Sequence, residues 1–232
     1  MLNLDLNEEI INPRRLETER RVLVMTAVAV ERDAVLHGLG GDKRFDVMVA
    51  GVGSVAAAVK TAKVLASTEY GLVVSAGIAG GFPGRAEVGS LVVANKIIAA
   101  DLGVETPEGF SSLAELGFGS INIGVDPSLV NKVTGALLAV KLSVSIGPII
   151  TVSTATGTTA SAVEMARRVP GAAAEAMEGY GVALAAQNYG VSVLEIRVIS
   201  NLVGPRDRTV WRIKEALHVL EEASAVLLEV LL

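Results

Sequence analysis

Residues 173–201, AAEAMEGYGVALAAQNYGVSVLEIRVISN, constrain the fold of this chain more than any other stretch. They begin with small apolar residues in front of the carboxylate of Glu178, which directly follows a methionine, and continue as a helical segment whose alanines and glycines allow close packing. A β-branched run, residues 191–199, follows, and the polar pair Ser200 and Asn201 comes directly after it. Because α/β proteins bind ligands outside the carboxyl ends of their strands, this order predicts an α/β active site.

Apolar runs alternate with helical segments along the rest of the chain. Since continuously apolar strands are buried on both faces, the alternation predicts a mixed or mostly parallel central β-sheet flanked by helices, an α/β fold. We expect one catalytic domain, residues 21–232, after an N-terminal extension, residues 1–20. The glycine-rich residues 77–84 and the polar residues 102–120 are predicted loops, the second a candidate lid. The further predicted strands are residues 21–27, 45–50, 70–76, 88–94, 96–100 and 146–152.

Composition excludes several classes of function. The chain has no cysteine, which rules out disulfides, thiolate catalysis and zinc-thiolate sites. Its two histidines, His37 and His218, lie far apart, and we expect neither a metal nor a cofactor. A net charge of −5 and only 3% aromatic residues argue against binding to nucleic acid. No apolar run approaches the ~20 residues of a membrane span, and the acidic N-terminus is unlike a secretory signal, so we expect a cytoplasmic protein.

The turn GVGSVAA, residues 51–57, has two alternative interpretations. Glycines after a strand can bring a helix N-terminus close to a pyrophosphate, as in dinucleotide-binding proteins. This turn lacks the third glycine of that fingerprint, and no acidic residue ends a strand about 20 residues later. A tight structural turn is therefore the better interpretation.

Two carboxylates are candidates for chemistry. Glu31 follows the first predicted strand, where a partly buried carboxylate can act as a general base. On position alone, a solvated glutamate in the first turn of a helix, favoured by the helix dipole, is the better interpretation. Glu178 lies among small apolar residues, where a carboxylate needs a dedicated partner such as the paired hydroxyls of a ligand. Asn201 and Asp101 are explained as well by turns as by binding. Residues 206–208 are better explained by a solvated salt-bridge cluster than by the alternative, a mobile loop that supplies an arginine to an anionic group.

Seven segments together resemble the superfamily of purine nucleoside phosphorylases and nucleosidases. They are VAVERDAV, GVGSVAAA, SAGIAGG, EVGSLVVA, TVSTATGTTAS, AMEGYG and RVISN, and they occur in the family's order. Within the superfamily the pattern is similar to the methylthioadenosine/S-adenosylhomocysteine nucleosidases. It is closer still to the futalosine hydrolases, through STATGTT and through the run ISN…GPRDR…W.

The resemblance implies roles for particular residues. Glu31 would activate the attacking water, and Met177 and Glu178 would hold the ribose. Ser200 and Asn201 would match the serine and acid of the nucleosidases, with Asn201 facing the departing base. Further residues would bind other parts of a nucleoside substrate: Gly77, Ala79 and Gly80 beside the ribose, Ala155, Thr156 and Gly157 at the base, and Arg206, Arg208, Phe110 and Trp211 around the substrate's 5′ carboxylate arm. The resemblance also implies a homo-oligomer, a dimer or higher. The charge, the few aromatic residues and the lack of a long apolar run already indicate no nucleic-acid or membrane partner.

Two departures from the superfamily's patterns refine the expected reaction. Its phosphorylases bind phosphate through a Gly-Asp-Pro-x-Arg type turn after the first strand, where this chain has TAVAVERD, so hydrolysis is expected. Asn201 replaces an aspartate, and an amide can donate to N7 or O6 of a 6-oxopurine. The resemblance therefore implies that futalosine is hydrolysed to hypoxanthine and dehypoxanthine futalosine, a step of menaquinone biosynthesis. The alternatives are an adenine-releasing nucleosidase and a catalytically inactive nucleoside-binding protein of the same fold.

Overall fold

The computed structural model describes residues 21–231, and the predicted N-terminal extension lies outside these residues. The described chain folds as ten strands and six α-helices, with a short 3-10 turn at Arg208–Val210. The strands are β1 Val22–Thr26, β2 Phe45–Val49, β3 Leu72–Gly81, β4 Leu91–Ala99, β5 Gly103–Thr106, β6 Gly109–Ser112, β7 Asn122–Gly124, β8 Val144–Thr151, β9 Ala174–Ala176 and β10 Ser192–Leu202. The helices are α1 Ala29–Gly38, α2 Ser54–Leu65, α3 Pro127–Ala139, α4 Thr159–Arg168, α5 Gly179–Asn188 and α6 Ile213–Val230.

A mixed central sheet organises the molecule, as predicted. Its strand order is β10-β4-β8-β9-β3-β1-β2, with β7 on the side of β4. Because β10 also pairs with β3, the strands β10, β4, β8, β9 and β3 close into a ring, while β1 and β2 extend from it. Strand β3 runs parallel to both β1 and β10, so their carboxyl ends meet at one edge of the sheet. That edge is where a ligand is expected.

Several predicted boundaries were wrong, and glycine is the main reason. The expected loop at residues 77–84 is largely strand, because β3 continues to Gly81. A side chain at Gly81 would collide with the carbonyl oxygen of Ala86 and lie 2.7 Å from Cγ2 of Ile199, so glycine permits the close pairing rather than a loop. The two strands predicted at residues 88–100 are one strand, β4, with an irregularity between Ala94 and Lys96.

Other differences concern short elements. The predicted loop at residues 102–120 contains the hairpin formed by β5 and β6. Strand β9 was not predicted, because its three residues are too few to show a period. Ser200 and Asn201 lie inside β10 rather than after it, with a bulge between Ile199 and Asn201. Such a bulge redirects side chains at the end of a strand.

The helices pack in pairs outside the sheet, α1 against α6 and α2 against α5. Buried apolar residues of the strands form the core, among them Leu23, Val73, Val93 and Leu194, all with essentially no exposed surface. No helix within residues 21–231 is both long and apolar enough to cross a bilayer.

Gly181 sets the contact between α2 and α5, because a side chain there would collide with the carbonyl oxygen of Ser54. We expect Gly181→Ala to lower the free energy of unfolding by about 1–3 kcal/mol, since backbone on either side must move. The matched control is Gly135→Ala in α3, where a Cβ would meet nothing within 4 Å, so helix propensity should leave stability equal or slightly higher. Denaturant titration of both variants checks this, and equal midpoints would contradict it.

Candidate active site

A cavity of about 530 Å³ lies at the carboxyl ends of β3 and β10 and beside the turn that follows β1. The start of α1, the segment from β9 into α5, and three loops complete its wall. Its lining contains most of the residues predicted for a site: Glu31, Ala79, Gly80, Ala155, Thr156, Met177, Glu178, Ser200, Asn201, Arg206, Arg208 and Trp211. The fold thus brings residues separated by up to 180 positions into one cavity, and their individual roles remain predictions.

Three predicted residues do not line this cavity. Gly77 is buried behind it, and a Cβ there would lie 2.5 Å from Oε1 of Glu31 and 2.9 Å from Nη1 of Arg197. The carbonyl of Gly157 accepts a hydrogen bond from the backbone of Arg206 at 3.3 Å. Phe110 lies in the hairpin, with the guanidinium of Arg168 3.8 Å from the centre of its ring. Phe110 is therefore not brought to the cavity within this single chain.

Glu31 is held in place by backbone donors. It occupies the first turn of α1, and one carboxylate oxygen accepts from the N–H groups of Ala27 and Val28 at 2.9 and 3.2 Å. The other oxygen accepts from Ile78 N–H at 2.9 Å. The residue is 2% exposed, so the alternative of a solvated surface glutamate is wrong. Burial raises the pKa of this carboxyl, while the charge of Arg197 and the backbone donors oppose the rise. A raised pKa makes the carboxylate a stronger proton acceptor at neutral pH.

Glu178 stands directly before α5 and is 6% exposed. Its Oε1 accepts from Gly53 N–H at 3.2 Å, and its Oε2 pairs with Nη1 of Arg197 at 3.3 Å. Gly53 has a φ of +94°, which glycine tolerates and other residues rarely adopt. The turn at residues 51–57 therefore serves to hold Glu178, in agreement with a structural interpretation of its glycines.

Arg197 and Glu195 belong to the same buried network, and sequence reasoning missed both. Arg197 is 1% exposed and donates to Glu195 at 2.9 Å and to the hydroxyl of Ser75 at 3.1 Å, in addition to Glu178. Glu195 has no exposed surface, and its Oε2 has no partner among the described residues. Burial raises the pKa of Glu195 to about 6, opposed by Arg197 and supported by the charge of Glu178. One guanidinium thus compensates the carboxylates of Glu31, Glu178 and Glu195.

A signal for this network was present in the sequence. The strand segment LEIRVIS places Glu195 and Arg197 two residues apart, and therefore on one face of β10. Charged residues are almost never fully buried unless they are paired. An alternating glutamate and arginine inside an otherwise apolar strand is thus itself a sign of a buried ion pair.

A fourth buried carboxylate, Glu175, was also missed. It lines the cavity from β9 and is 8% exposed. One of its oxygens accepts from Thr156 N–H at 2.8 Å, and the other accepts from the hydroxyl of Thr156. Burial raises the pKa of Glu175, and both bonds from Thr156 oppose the rise. Glu175 thereby anchors the loop that carries Ala155 and Thr156 at the cavity.

The amide of Asn201 has a defined orientation. Its Oδ1 accepts from the hydroxyl of Ser200 at 2.9 Å, and its Nδ2 donates to the carbonyl of Leu202 at 2.9 Å. The amide nitrogen keeps a second hydrogen, because an NH₂ group carries two. Ser200 therefore fixes Asn201 as a donor toward the cavity.

Two arginines and a tryptophan form the mouth of the cavity. The guanidinium carbons of Arg206 and Arg208 lie 5.2 and 5.8 Å from the centre of the Trp211 ring. Asp207 accepts instead from the backbone and hydroxyl of Thr209. The expected salt-bridge cluster at residues 206–208 is therefore absent within residues 21–231, and neither arginine has a carboxylate partner there.

Comparison with known proteins agrees with this architecture. A family model described as the phosphorylase superfamily matches residues 19–232. A futalosine hydrolase of Acidothermus cellulolyticus is 49% identical over 218 residues, covering 88% of this chain and 89% of that protein. A futalosine hydrolase of Streptomyces coelicolor is 47% identical, covering 90% of this chain and 96% of that protein. A 5′-methylthioadenosine/S-adenosylhomocysteine nucleosidase from Neisseria meningitidis shares the fold, with a TM-score of 0.77 at 18% identity, covering 90% of this chain and 99% of that one. The chain therefore belongs to the phosphorylase superfamily and, within it, to the family of the futalosine hydrolases.

Proposed function

We propose that the protein hydrolyses the N-glycosidic bond of futalosine and releases hypoxanthine and dehypoxanthine futalosine, a step of menaquinone biosynthesis. The observation that carries the proposal is the placement of Glu31, Glu178 and Asn201 around one cavity, in a chain 47–49% identical to futalosine hydrolases. These three groups suit the three parts of the reaction, which are the water, the ribose and the departing base.

Glu178 and Glu31 would act on the sugar and on the water. Glycoside hydrolysis passes through an oxocarbenium-like transition state, in which positive charge develops on the sugar ring. The carboxylate of Glu178 would accept hydrogen bonds from the 2′- and 3′-hydroxyls and lie close to that charge, with Met177 packed against the ring. Glu31 would take a proton from water as the water oxygen bonds to C1′ and the bond from C1′ to the base breaks.

Asn201 would bind the base as it leaves. The free hydrogen on Nδ2 can be donated to N7 or O6 of hypoxanthine, both of which are acceptors. This bond strengthens as negative charge develops on the base, so it stabilises the transition state more than the substrate. The leaving nitrogen then takes a proton from solvent, and the carboxyl of Glu31 releases to solvent the proton it took, so that one water has been added across the bond.

Hydrolysis is favoured over phosphorolysis by the wall that follows β1. This wall consists of Ala27 and Val28 together with the carboxylate of Glu31. A phosphate bound there would meet apolar groups and a negative charge, whereas a water molecule would meet a proton acceptor.

The mouth of the cavity suits the 5′ arm of futalosine, which ends in an aryl carboxylate. Arg206 and Arg208 supply positive charge beside the face of Trp211. An aromatic acid can stack on a tryptophan while its carboxylate pairs with a guanidinium. We place the 5′ arm here.

A homo-oligomer and a cytoplasmic setting are parts of the same proposal. The exposed apolar side chains Val55 and Val59 support self-association, since they form a stripe on one face of α2, with the exposed Val52 in the turn just before that helix. Val52 also lines the cavity, so a second copy bound at this stripe would lie near the site.

Incubation of the wild-type protein with futalosine tests the function. We expect hypoxanthine to appear at a rate that does not depend on added phosphate. In Glu178→Gln the rate should fall roughly 10²–10³-fold, because a neutral amide stabilises the developing charge less well. Phosphate-dependent turnover would contradict hydrolysis. Faster release of adenine from the 6-amino analogue would favour the adenine-releasing alternative, and full activity in Glu178→Gln would overturn the assignment of the ribose site.

A further inference from the structure

Three paired strands place Glu175 and Asn201 on opposite sides of Gly80. Strand β3 pairs Gly80 with Asn201 of β10 on one side and with Glu175 of β9 on the other. Directly paired residues direct their side chains to the same face of a sheet. A carboxylate and an amide therefore flank a position that has no side chain.

The space over Gly80 matches a planar base. Neighbouring strands lie about 4.8 Å apart, so the backbones that carry Glu175 and Asn201 are roughly 10 Å apart, room for one bicyclic ring with a hydrogen bond at each edge. A Cβ at Gly80 would lie 3.0 Å from Cγ2 of Val203 and 3.5 Å from Nδ2 of Asn201, so any side chain would reduce this space. All four residues line the same cavity.

The two flanking groups have opposite hydrogen-bonding character. Asn201 presents a donor, because Ser200 donates to its Oδ1. Glu175 presents acceptors, because each of its oxygens already accepts one bond from Thr156 and an ionised carboxylate has no hydrogen to give. A 6-oxopurine carries acceptors at O6 and N7 and a donor at N1–H, which complements this pair. A 6-aminopurine has a lone pair at N1, which would face the carboxylate.

We propose that Glu175 is a specificity-determining residue that accepts the N1–H of the departing 6-oxopurine, opposite the bond from Asn201. This inference rests on the proposed function and deepens it, because it assigns base selection to two residues instead of one. A carboxylate that accepts from N1–H makes a charge-assisted bond, which is stronger than a neutral one. A site with such a group disfavours bases that cannot donate to it.

A purely structural role is the rival explanation, since Glu175 also anchors Thr156. The two roles differ in what they do to binding of the free base. An anchor affects every base alike, whereas an acceptor for N1–H distinguishes hypoxanthine from 1-methylhypoxanthine, in which a methyl group replaces that hydrogen.

Calorimetric binding of these two bases tests the proposal without depending on turnover. We expect the wild-type protein to prefer hypoxanthine by roughly 10–100-fold, the value of a hydrogen bond to a charged group. The quantity compared is the ratio of the dissociation constant of 1-methylhypoxanthine to that of hypoxanthine. Glu175→Ala should bring this ratio close to one. Glu175→Gln, which can still contact Thr156, should lower it several-fold. The control is Glu164→Gln, the same change at a carboxylate that pairs with Arg167 and Arg168 outside the cavity, so its ratio should equal that of the wild type.

The outcomes separate this inference from the proposed function. A wild-type protein that releases hypoxanthine from futalosine but binds both bases equally would overturn the role of Glu175 and leave the function standing. A ratio that is undiminished in both Glu175 variants would likewise overturn the role of Glu175 and leave the proposed function standing. Absence of hypoxanthine release from futalosine by the wild-type protein would instead overturn the proposed function.

Discussion

Replacing Glu31 with glutamine should lower kcat by about 10²–10⁴-fold, the usual contribution of a positioned general base. Glutamine has nearly the same shape but cannot take a proton from water. Binding of hypoxanthine should change little, since the base is expected beside Asn201 and Gly80 rather than Glu31. Measurement of kcat for futalosine together with the dissociation constant of hypoxanthine checks both parts.

The pH profile separates loss of the base from loss of structure. Because burial raises the pKa of Glu31, the wild-type kcat/KM should fall as the pH drops through that raised value, where the carboxyl becomes protonated and can no longer accept a proton. The residual activity of Glu31→Gln should lack this acid limb. An acid limb that persists unchanged in the variant would assign it to another group.

Glu31→Gln also carries a structural cost that a control must measure. Both oxygens of Glu31 accept backbone N–H groups, so the amide NH₂ of glutamine must face a donor at Ile78 or at Ala27 and Val28. We expect this mismatch to cost about 1–3 kcal/mol of stability. The matched control is Asp33→Asn on the same helix, where an exposed carboxylate pairs only with Arg32, and its kcat should equal that of the wild type. A drop in kcat of similar size in both variants would contradict the role of Glu31.

Local sequence patterns predicted the α/β fold and the part of the cavity at the carboxyl end of β10. They failed for features that depend on contacts between distant parts of the chain. The carboxyl end of β10 could be predicted because a β-branched run ending in Ser200 and Asn201 is a local signal. The closed ring of strands could not, because it depends on β10 pairing with β3 and β4 at the same time, and pairing leaves no local pattern. Gly81 shows the limit most directly, since the same residue type permits a loop or a close strand contact.

The candidate site shows the same division. Glu178 could be singled out because a carboxylate among alanines lacks a local partner. Its actual partners, Gly53 and Arg197, lie 125 and 19 residues away and come together only in the folded chain. Glu175 lies in the same apolar stretch, yet its importance depends on pairing with Gly80 across two strands. A site residue can be recognised in the sequence when its type is unusual among its neighbours. A site residue whose role depends on a distant residue lying beside it can be recognised only in the folded chain.

The second large effect is expected from Arg197→Met, which should lower the free energy of unfolding by about 3–5 kcal/mol at pH 8, because it leaves buried carboxylates without a compensating charge. Turnover should fall as well, since Glu178 loses the donor on its Oε2. An exposed pair supplies the control: Arg44→Met removes a partner of Asp42 at the surface and should leave stability unchanged within error. Denaturant titration of both variants gives the comparison.

The stability lost in Arg197→Met should depend on pH in a defined direction. In the wild type, burial raises the pKa of Glu195 from an ordinary 4.5 to about 6, so the stability linked to its protonation is complete below about 4.5 and is lost as the pH rises through about 6. Removal of the guanidinium strengthens this effect, because its charge opposes the rise. The deficit of Arg197→Met should therefore be smaller at pH 5 than at pH 8, and an equal deficit at both values would contradict a charge mechanism.

A second substitution distinguishes charge compensation from positioning. Adding Glu195→Gln to Arg197→Met removes one uncompensated carboxylate and should restore about 1–3 kcal/mol at pH 8. It should not restore turnover, because Glu178 still lacks the donor that orients it beside the ribose. Recovery of stability and activity together would show that Arg197 serves the fold alone, and recovery of stability without activity would show that its guanidinium also positions Glu178 for the reaction.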